Sequence, residues 1–269
     1  MILPISDVRC EIVLPTLDSH GPRISELFKD KLLKADTTVV FSAHFDDAVL
    51  SMGSTMAYLL SVRKKIIVVT VFTRGYNAIS LQTEFLLNHA GFANHEDYFA
   101  SRAQENATAL AILGDCTIIN LGYTDAPWRL DTNASFLYPE VVIGSPHNED
   151  HVLRDKIITS INNIQVPENC TIITHLAWGN HVDHIITRDA SLAVFPQAIF
   201  YRDFPYSRRY PEEYRYPIDH ELEAVDWYEP FYDKKAKSIL AYKTQRASLF
   251  RVNPMVLPLE RFYMHGVYS

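Results

Sequence analysis

The sequence predicts one α/β domain built on a mostly parallel sheet with helices on both faces. Short runs rich in β-branched residues, such as 37–43 (TTVVFSA) and 65–72 (KIIVVTVF), are largely apolar, as strands buried on both faces are. A helical pattern separates them, so residues 37–72 predict a strand, a right-handed crossover helix and a second strand. Chemically reactive polar residues follow several of these runs, at the strand ends where α/β sheets bind ligands.

In chain order, residues 1–36 are a predicted extension that ends in a helix over 25–33, with Ser25 as the expected N-cap. The strands expected after it cover 37–43, 65–72, 117–121, 171–175 and 198–201, and the helices cover 48–62, 98–113, 149–163, 180–195 and 233–247. Residues 74–95 show no clear period and predict a long loop of the kind that covers a binding site. The aromatic tract 204–231 is expected either to form a satellite core or to stack on sugar faces.

No linker divides the chain, so we interpret residues 1–269 as one domain. Within it, residues 1–36 are the extension, 37–200 the α/β core and 201–269 an elaboration on the substrate side. The extension is able to pack on the sheet edge or on a partner subunit, which leaves a homo-oligomer open. Residues 74–95 and 204–231 are expected to set the substrate, because loops are where related enzymes differ.

The composition limits the partners and the compartment. A net charge of −7 argues against a nucleic-acid-binding surface, so we expect a small-molecule ligand. No stretch approaches the roughly 18 apolar residues of a membrane span, and the first residues do not resemble a signal peptide. The cysteines Cys10, Cys116 and Cys170 are widely separated without CxxC spacing, which favours the reducing cytoplasm.

The first reactive cluster is His44, Asp46 and Asp47, directly after the strand predicted over 37–43. Two adjacent carboxylates beside an imidazole are costly to bury unless a cation compensates them. A divalent metal ion supplies that charge. We therefore expect this cluster to begin a metal site whose remaining ligands lie farther along the chain.

The second cluster, His181-Val182-Asp183-His184, follows the strand predicted over 171–175 and opens a helix. Residues three apart share a helix face, so His181 and His184 are expected to point into one site. Parallel strands end at the same edge of the sheet, which brings the two clusters together despite their separation in sequence.

Together the clusters supply three ligands, His44, Asp47 and His184. Three protein ligands leave the fourth position of a catalytic zinc site open. One carboxylate leaves the Zn²⁺ site with net positive charge, enough to activate a bound water and polarise a carbonyl. Asp46 is then free as a general base, while His181 either stabilises an oxyanion or protonates a leaving amine.

The sequence around these residues resembles the PIG-L/LmbE-like family of zinc-dependent N-acetyl sugar deacetylases. AHFDDAVLSMGS is similar to their A-H-P-D-D-E-x-x-x-x-G-G signature, and HVDH is similar to their later H-P-D-H. Three further segments agree in order with the family's conserved pieces: 101–114, 121–125 and 237–245. Phe45 and Val182 replace the motif prolines, and Ala48 replaces the motif glutamate. None of these three positions is an expected metal ligand or the expected base.

The resemblance implies a Rossmann-like three-layer domain that hydrolyses an N-acetyl group from an amino sugar or glycoside, N-acetylglucosamine conjugates among them. By position it implies these roles: metal ligands His44, Asp47 and His184, base Asp46, electrostatic partner His181, ligand-orienting Asp183, and sugar contacts Arg102 and Asp125.

Simpler interpretations stay open for several of these residues. Arg102 also fits a helix-surface ion pair with Glu105 or Asn106, and Asp125 fits a plain turn former. Residues 147–151 (HNEDH) contain the residue types that bind metals, but they precede a predicted helix and are expected to supply its cap and charges that favour its dipole.

Two other functions also stay open. His44-x-Asp46 with a distant His184 fits the triad of a non-haem Fe²⁺ oxygenase, so Fe²⁺ is an alternative ion. A site closed by Asp46 as a fourth ligand would instead indicate a non-catalytic sugar-binding module with a structural metal.

Overall fold

The structure, a computed structural model, describes residues 12–13, 26–210, 220–225, 227, 230–245 and 255–264. The described strands are β1 (Ile12–Val13), β2 (Thr37–Ser42), β3 (Lys65–Arg74), β4 (Cys116–Thr124), β5 (Cys170–His175), β6 (Ile199–Tyr201), β7 (His220–Val225), β8 (Met255–Val256) and β9 (Glu260–Met264). The described helices are α1 (Glu26–Leu33), α2 (Asp47–Ser61), α3 (Leu81–Ala90), α4 (His95–Leu113), α5 (Asp150–Asn162), α6 (Val182–Val194), α7 (Tyr206–Arg209) and α8 (Phe231–Ala241). Short 3₁₀ turns cover Ala126–Trp128 and Lys243–Gln245.

The main sheet has the strand order β4-β3-β2-β5-β6-β9-β7. The first five strands are parallel, while β9 pairs antiparallel with both β6 and β7. Helices cover both faces: α2, α4 and α8 pack together on one side, and α5 packs on α6 on the other. The predicted three-layer Rossmann-like α/β fold is therefore confirmed.

Strand β2 lies in the middle of this sheet and is buried along its whole length. Such a position suits its β-branched and aromatic residues, because both of its faces contact helices. Its carboxyl end leads within a few residues into α2, so the first reactive cluster lies at the centre of the sheet edge.

A buried ion pair holds helix α2 in place. The helix is interrupted at Met52, whose φ of −140° and ψ of 25° are not helical. The backbone N–H groups of Ser54 and Thr55 donate instead to the Glu260 carboxylate on β9, at 2.8 Å each. Lys235 of α8 neutralises that carboxylate at 2.7 Å. The last strand and last helix thus support the helix that begins at Asp47.

The predicted loop 74–95 is wrong in part, because it contains the ten-residue helix α3. Ser80 and Thr83 form a reciprocal capping box at its start, and Gly91 ends it in a left-handed conformation. The exposed side of α3 also carries large apolar residues, among them Leu81 and Phe85, so the sequence shows no amphipathic period.

The C-terminal part also differs from expectation. The helix predicted over 233–247 ends at Ala241, and the tail beyond it contributes the antiparallel strand β9. Trp227 and Phe231 pack into the main core rather than a satellite core. Residues 211–219, 226 and 228–229 of the aromatic tract, like residues 1–11 and 14–25 of the predicted extension, lie outside the described residues.

None of the described helices is both long and apolar enough to cross a lipid bilayer. The strands and helices predicted over 37–72 and 98–201 are confirmed, with bounds shifted by a few residues. The helix predicted from 180 begins at Val182, because His181 is its N-cap and accepts the Asp183 N–H.

Candidate metal centre and active site

The candidate site lies at the carboxyl ends of four parallel strands. The segment after β2 carries His44, Asp46 and Asp47, and the segment after β4 carries Asp125. The segment after β5 leads to His181, Asp183 and His184, and Asp203 follows β6. All of these side chains are buried, with relative exposures of 8% or less. This is the edge at which open α/β sheets bind their ligands.

The three predicted metal ligands meet around one carboxylate oxygen. Asp47 Oδ2 lies 3.1 Å from His44 Nδ1 and 3.4 Å from His184 Nε2. The two imidazole rings are 5.4 Å apart between centroids. One nitrogen of each histidine therefore lies within 3.4 Å of the same Asp47 oxygen.

Hydrogen bonds to two further carboxylates fix which nitrogen of each histidine faces that oxygen. His44 Nε2 lies 3.2 Å from Asp183 Oδ2, and His184 Nδ1 lies 2.8 Å from Asp203 Oδ1. A histidine that donates one N–H to a carboxylate presents the lone pair of its other nitrogen to a metal. His184 Nε2 is buried without a hydrogen-bond partner, so the donor set fits a divalent ion.

Electrostatics within the site support the same conclusion. Burial alone would lower the pKa of His44, but Asp125 and Asp47 outweigh burial and raise it well above its usual value. Burial alone would raise the pKa of Asp47, yet His184 and His44 hold it well below the usual range. Asp47 and, less strongly, Asp203 likewise overcome burial and raise the pKa of His184 to about 9. Both histidine shifts favour the protonated imidazoles, so a metal ion would have to displace protons from them.

The Asp46 carboxylate pairs with Arg102. The Arg102 guanidinium lies 3.3 Å from Asp46 Oδ1 and 3.6 Å from Asp125 Oδ2. Burial raises the pKa of Asp46, and Arg102 opposes that rise without cancelling it. The surface ion pair considered for Arg102 is therefore wrong, because the side chain is buried between two carboxylates from other segments.

His181 caps α6 and lines the cavity. Its Nδ1 accepts the Asp183 N–H at 3.2 Å, so the proton of the neutral ring lies on Nε2. Burial and the neighbouring His184 and His44 hold its pKa well below the usual value, which keeps the ring neutral. A neutral imidazole with an exposed N–H is a hydrogen-bond donor for a developing negative charge.

A second buried network lies behind Asp183. Arg129 donates to Asp183 Oδ1 and also contacts Asp150, at 3.1 Å from its Nε. Asp150 in turn accepts the Tyr138 hydroxyl at 2.5 Å. The dipole role expected for residues 147–151 fits Asp150, which lies in the first turn of α5, although the N-cap Glu149 makes no side-chain capping bond and the Asp150 carboxylate also pairs with Arg129.

Three residues of the site were missed from the sequence: His175, Asp203 and Arg129. His175 ends β5 and Asp203 comes two residues after β6, so both show the signal that identified the first cluster, a polar residue at a strand end. Arg129 lies in an irregular segment and is connected to the site only by tertiary contacts, so no local pattern identifies it.

A cavity of about 160 Å³ opens onto these residues. Its polar wall includes His44, Asp46, Arg102 and His181. Three segments outside the two reactive clusters also contribute to the wall: Gln82 and Leu86 of α3, Tyr206 and Arg209 of α7, and Gln245. The two segments expected to set the substrate, 74–95 and 204–231, thus both reach the cavity.

The turn that presents His181 is tight. Ala177, Gly179 and Asn180 all have positive φ, of 65°, 90° and 52°. A Cβ on Gly179 would lie 2.8 Å from the Tyr206 Cβ, so only glycine fits against that ring. Tyr206 in turn packs edge-on against both His181 and His184.

Sequence comparisons identify relatives of this chain. The sequence profile of the PIG-L family, described as GlcNAc-PI de-N-acetylase, matches residues 39–195, which include both reactive clusters. The 2'-N-acetylparomamine deacetylase of Niallia circulans is 28% identical over 232 residues, which cover 78% of this chain and 80% of that protein.

Solved structures share the fold. The zinc-inhibited form of the teicoplanin deacetylase Orf2 superposes with a TM-score of 0.74 at 21% identity, covering 87% of this chain and all of the other. The A40926 pseudoaglycone deacetylase Dbv21 superposes with a TM-score of 0.67 at 22% identity, covering 85% of this chain and 96% of the other.

Proposed function

Because the chain belongs to the PIG-L (GlcNAc-PI de-N-acetylase) family, we propose that it is a divalent-metal-dependent hydrolase that removes an N-acyl group, in the simplest case acetyl, from an amino sugar or glycoside. One observation carries this function: Asp47 Oδ2 and one nitrogen of each of His44 and His184 converge, with the Asp46 carboxylate beside them in a cavity wall. The similarity to a deacetylase of 2'-N-acetylparomamine supports an acetylated amino sugar as substrate.

His44, Asp47 and His184 would hold the ion, Zn²⁺ or another divalent metal such as Fe²⁺. When bound, it would supply Lewis acidity at the amide carbonyl and lower the pKa of an attacking water. Asp183 and Asp203 keep the two histidines in the tautomers that this arrangement needs.

Asp46 is suited to take the proton of the attacking water. Its carboxylate lines the cavity, and its hydrogen bond to Arg102 leaves one oxygen for that proton. A raised pKa brings the group closer to neutral pH, which improves a general base. Arg102 holds this carboxylate and Asp125 together at the substrate side of the cavity.

His181 is suited to stabilise the oxyanion. Its Nδ1 is engaged by the backbone of α6, so its Nε2–H is the group left for the substrate. The lowered pKa means that the ring donates this hydrogen bond without carrying charge. Of the two roles that the sequence left open, hydrogen bonding to the developing negative charge is the one favoured.

The geometry disfavours the two alternative functions. The oxygenase triad considered from the sequence uses Asp46, whose carboxylate pairs with Arg102. Because His44, Asp47 and His184 are themselves two histidines and one carboxylate, it is the fold that disfavours an oxygenase: such iron sites usually lie on antiparallel β-sheets, whereas the first five strands here are parallel. With Asp46 paired to Arg102, the proposed ligands number three. A closed structural site, as the binding module would have, needs four.

Acetate release from a panel of N-acetylated amino sugars and aminoglycosides tests the proposed function. The metal-free protein is assayed before and after addition of Zn²⁺ or, anaerobically, Fe²⁺. We expect acetate only with metal, no oxygen uptake, and no acetate from the His184→Ala variant. Oxygen consumption coupled to turnover would assign the oxygenase chemistry, and metal and sugar binding without turnover would assign the binding module.

A further inference from the structure

His175 and Asp203 form a buried pair behind the metal-facing residues. Both side chains are almost completely excluded from solvent, at 0% and 1% exposure. His175 Nδ1 lies 2.5 Å from Asp203 Oδ1, and the same oxygen lies 2.8 Å from His184 Nδ1. One carboxylate oxygen therefore joins a strand-end histidine to a proposed metal ligand.

His175 lies close enough to the centre to be mistaken for a ligand, since its Nε2 is 3.8 Å from Asp47 Oδ2. That nitrogen accepts the Ala43 backbone N–H at 2.7 Å, and the Tyr201 hydroxyl lies 2.8 Å from it. A neutral imidazole has one in-plane lone pair, and here the backbone uses it. His175 is thus not placed to coordinate an ion.

The contacts of the pair reach every segment that carries a proposed ligand. Ala43, whose N–H is held by His175, precedes His44 and the start of α2. Asp203 holds His184 through Oδ1 and the Trp178 N–H, in the turn before α6, through Oδ2 at 2.8 Å. A chain of hydrogen bonds therefore runs from one cluster to the other across the sheet edge.

On the basis of the metal centre proposed above, we propose that His175 and Asp203 are a positioning pair, which sets the spacing of the two ligand-bearing segments and orients His184 Nε2 for the ion. Partners of metal-binding histidines change metal affinity by about 10- to 100-fold when they are removed. A structural role alone would lower the stability of the metal-free protein and leave metal affinity unchanged.

Two near-isosteric substitutions separate these roles. Asp203→Asn replaces the acceptor of the two imidazole N–H groups by an amide. His175→Gln keeps an acceptor near the Ala43 N–H but loses the donor to Asp203. Thr174→Val is the matched control, because Thr174 is a fully buried polar neighbour on the same strand whose hydroxyl contacts Ser191 instead.

The experiment measures the Zn²⁺ dissociation constant by chelator competition, and the melting temperature of each variant with and without Zn²⁺. We expect dissociation constants about 10- to 100-fold higher for Asp203→Asn and His175→Gln, and an unchanged value for Thr174→Val. At saturating metal this reduces the stabilisation by Zn²⁺ by about 1.4 to 2.7 kcal/mol. The metal-free melting temperatures should stay within the range set by Thr174→Val.

Each other outcome overturns the positioning role in a different way. Unchanged Zn²⁺ affinity in both variants would mean that the pair has a purely structural role. Loss of the fold of the metal-free variants would lead to the same conclusion. Complete loss of Zn²⁺ from His175→Gln, as in His184→Ala, would make His175 a ligand. Failure of the unaltered protein to bind Zn²⁺ or another divalent ion would instead refute the metal centre itself.

Discussion

Replacing Asp46 by asparagine removes the proposed base and little else. The Asp46 carboxylate contacts Arg102 at 3.3 Å, whereas the histidines of the metal centre face Asp47. Arg102 keeps a second carboxylate, Asp125, at 3.6 Å, so the substitution does not leave a buried guanidinium without a partner. We therefore expect Asp46→Asn to fold and to bind metal like the unaltered protein.

The loss of rate should then equal the contribution of general-base catalysis. A positioned base contributes about 10²- to 10⁴-fold, which corresponds to about 2.7 to 5.4 kcal/mol of activation free energy. Polarisation of the carbonyl and the His181 hydrogen bond remain in the variant. A measurable residual rate is therefore expected rather than complete inactivity.

The pH profile provides a second readout of the same group. Burial raises the pKa of Asp46 above its usual value of 3.8. Because only the ionised carboxylate accepts a proton, kcat/KM should fall as the pH decreases through this raised pKa. In Asp46→Asn the acidic limb due to this group should be absent.

The assay compares kcat, KM and bound metal for Asp46→Asn and Asp125→Asn at saturating Zn²⁺. Asp125→Asn removes the other carboxylate on the same guanidinium, so it controls for the loss of charge next to Arg102. We expect a larger loss of kcat for Asp46 and a larger effect on KM for Asp125. Equal losses of kcat would refute proton transfer by Asp46, and a metal-free Asp46→Asn protein would refute our division of the two aspartates.

Three further predictions concern the histidines of the proposed metal site and the buried Arg129. His184→Ala should lose the metal while keeping the fold, which metal analysis and circular dichroism together check. Uptake of Zn²⁺ should weaken as the pH falls, because the raised pKa values of His44 and His184 mean that protons must leave, and calorimetry in buffers of different ionisation enthalpy measures their number. Arg129→Met should lower stability by about 3 to 5 kcal/mol in denaturant unfolding, because it leaves the Asp183 and Asp150 carboxylates buried without their cation, and an unchanged midpoint would contradict this.

The fold could be predicted where local pattern and tertiary environment agree. The β-branched run at 37–43 indicated a strand buried on both faces, and the structure buries all of β2. The reactive residues after that run were identifiable for the same reason, because strand ends are where α/β sheets place their ligands. The convergence of His44, Asp47 and His184 therefore follows from topology as much as from chemistry.

The remaining elements depend on contacts that sequence patterns do not show. Helix α3 is apolar on its exposed side and is defined by the capping box of Ser80 and Thr83, so periodicity did not reveal it. Strand β9 is ordered by pairing with β6, about sixty residues earlier in the sequence. Arg102 had nearby Glu105 and Asn106 as apparent partners, but it pairs with Asp46, 56 residues away.

The hydrogen-bond network behind the proposed metal ligands also relates metal binding to proton release. Asp47 is held between two histidines whose pKa values its own charge helps to raise. A divalent ion that displaces one proton from each histidine leaves the charge of the buried site unchanged. Asp183 and Asp203 keep their bonds to the outer nitrogens in either state, since those nitrogens stay protonated. Metal uptake is therefore expected to change the protonation of the two inner nitrogens and to leave the hydrogen bonds of the outer ones in place.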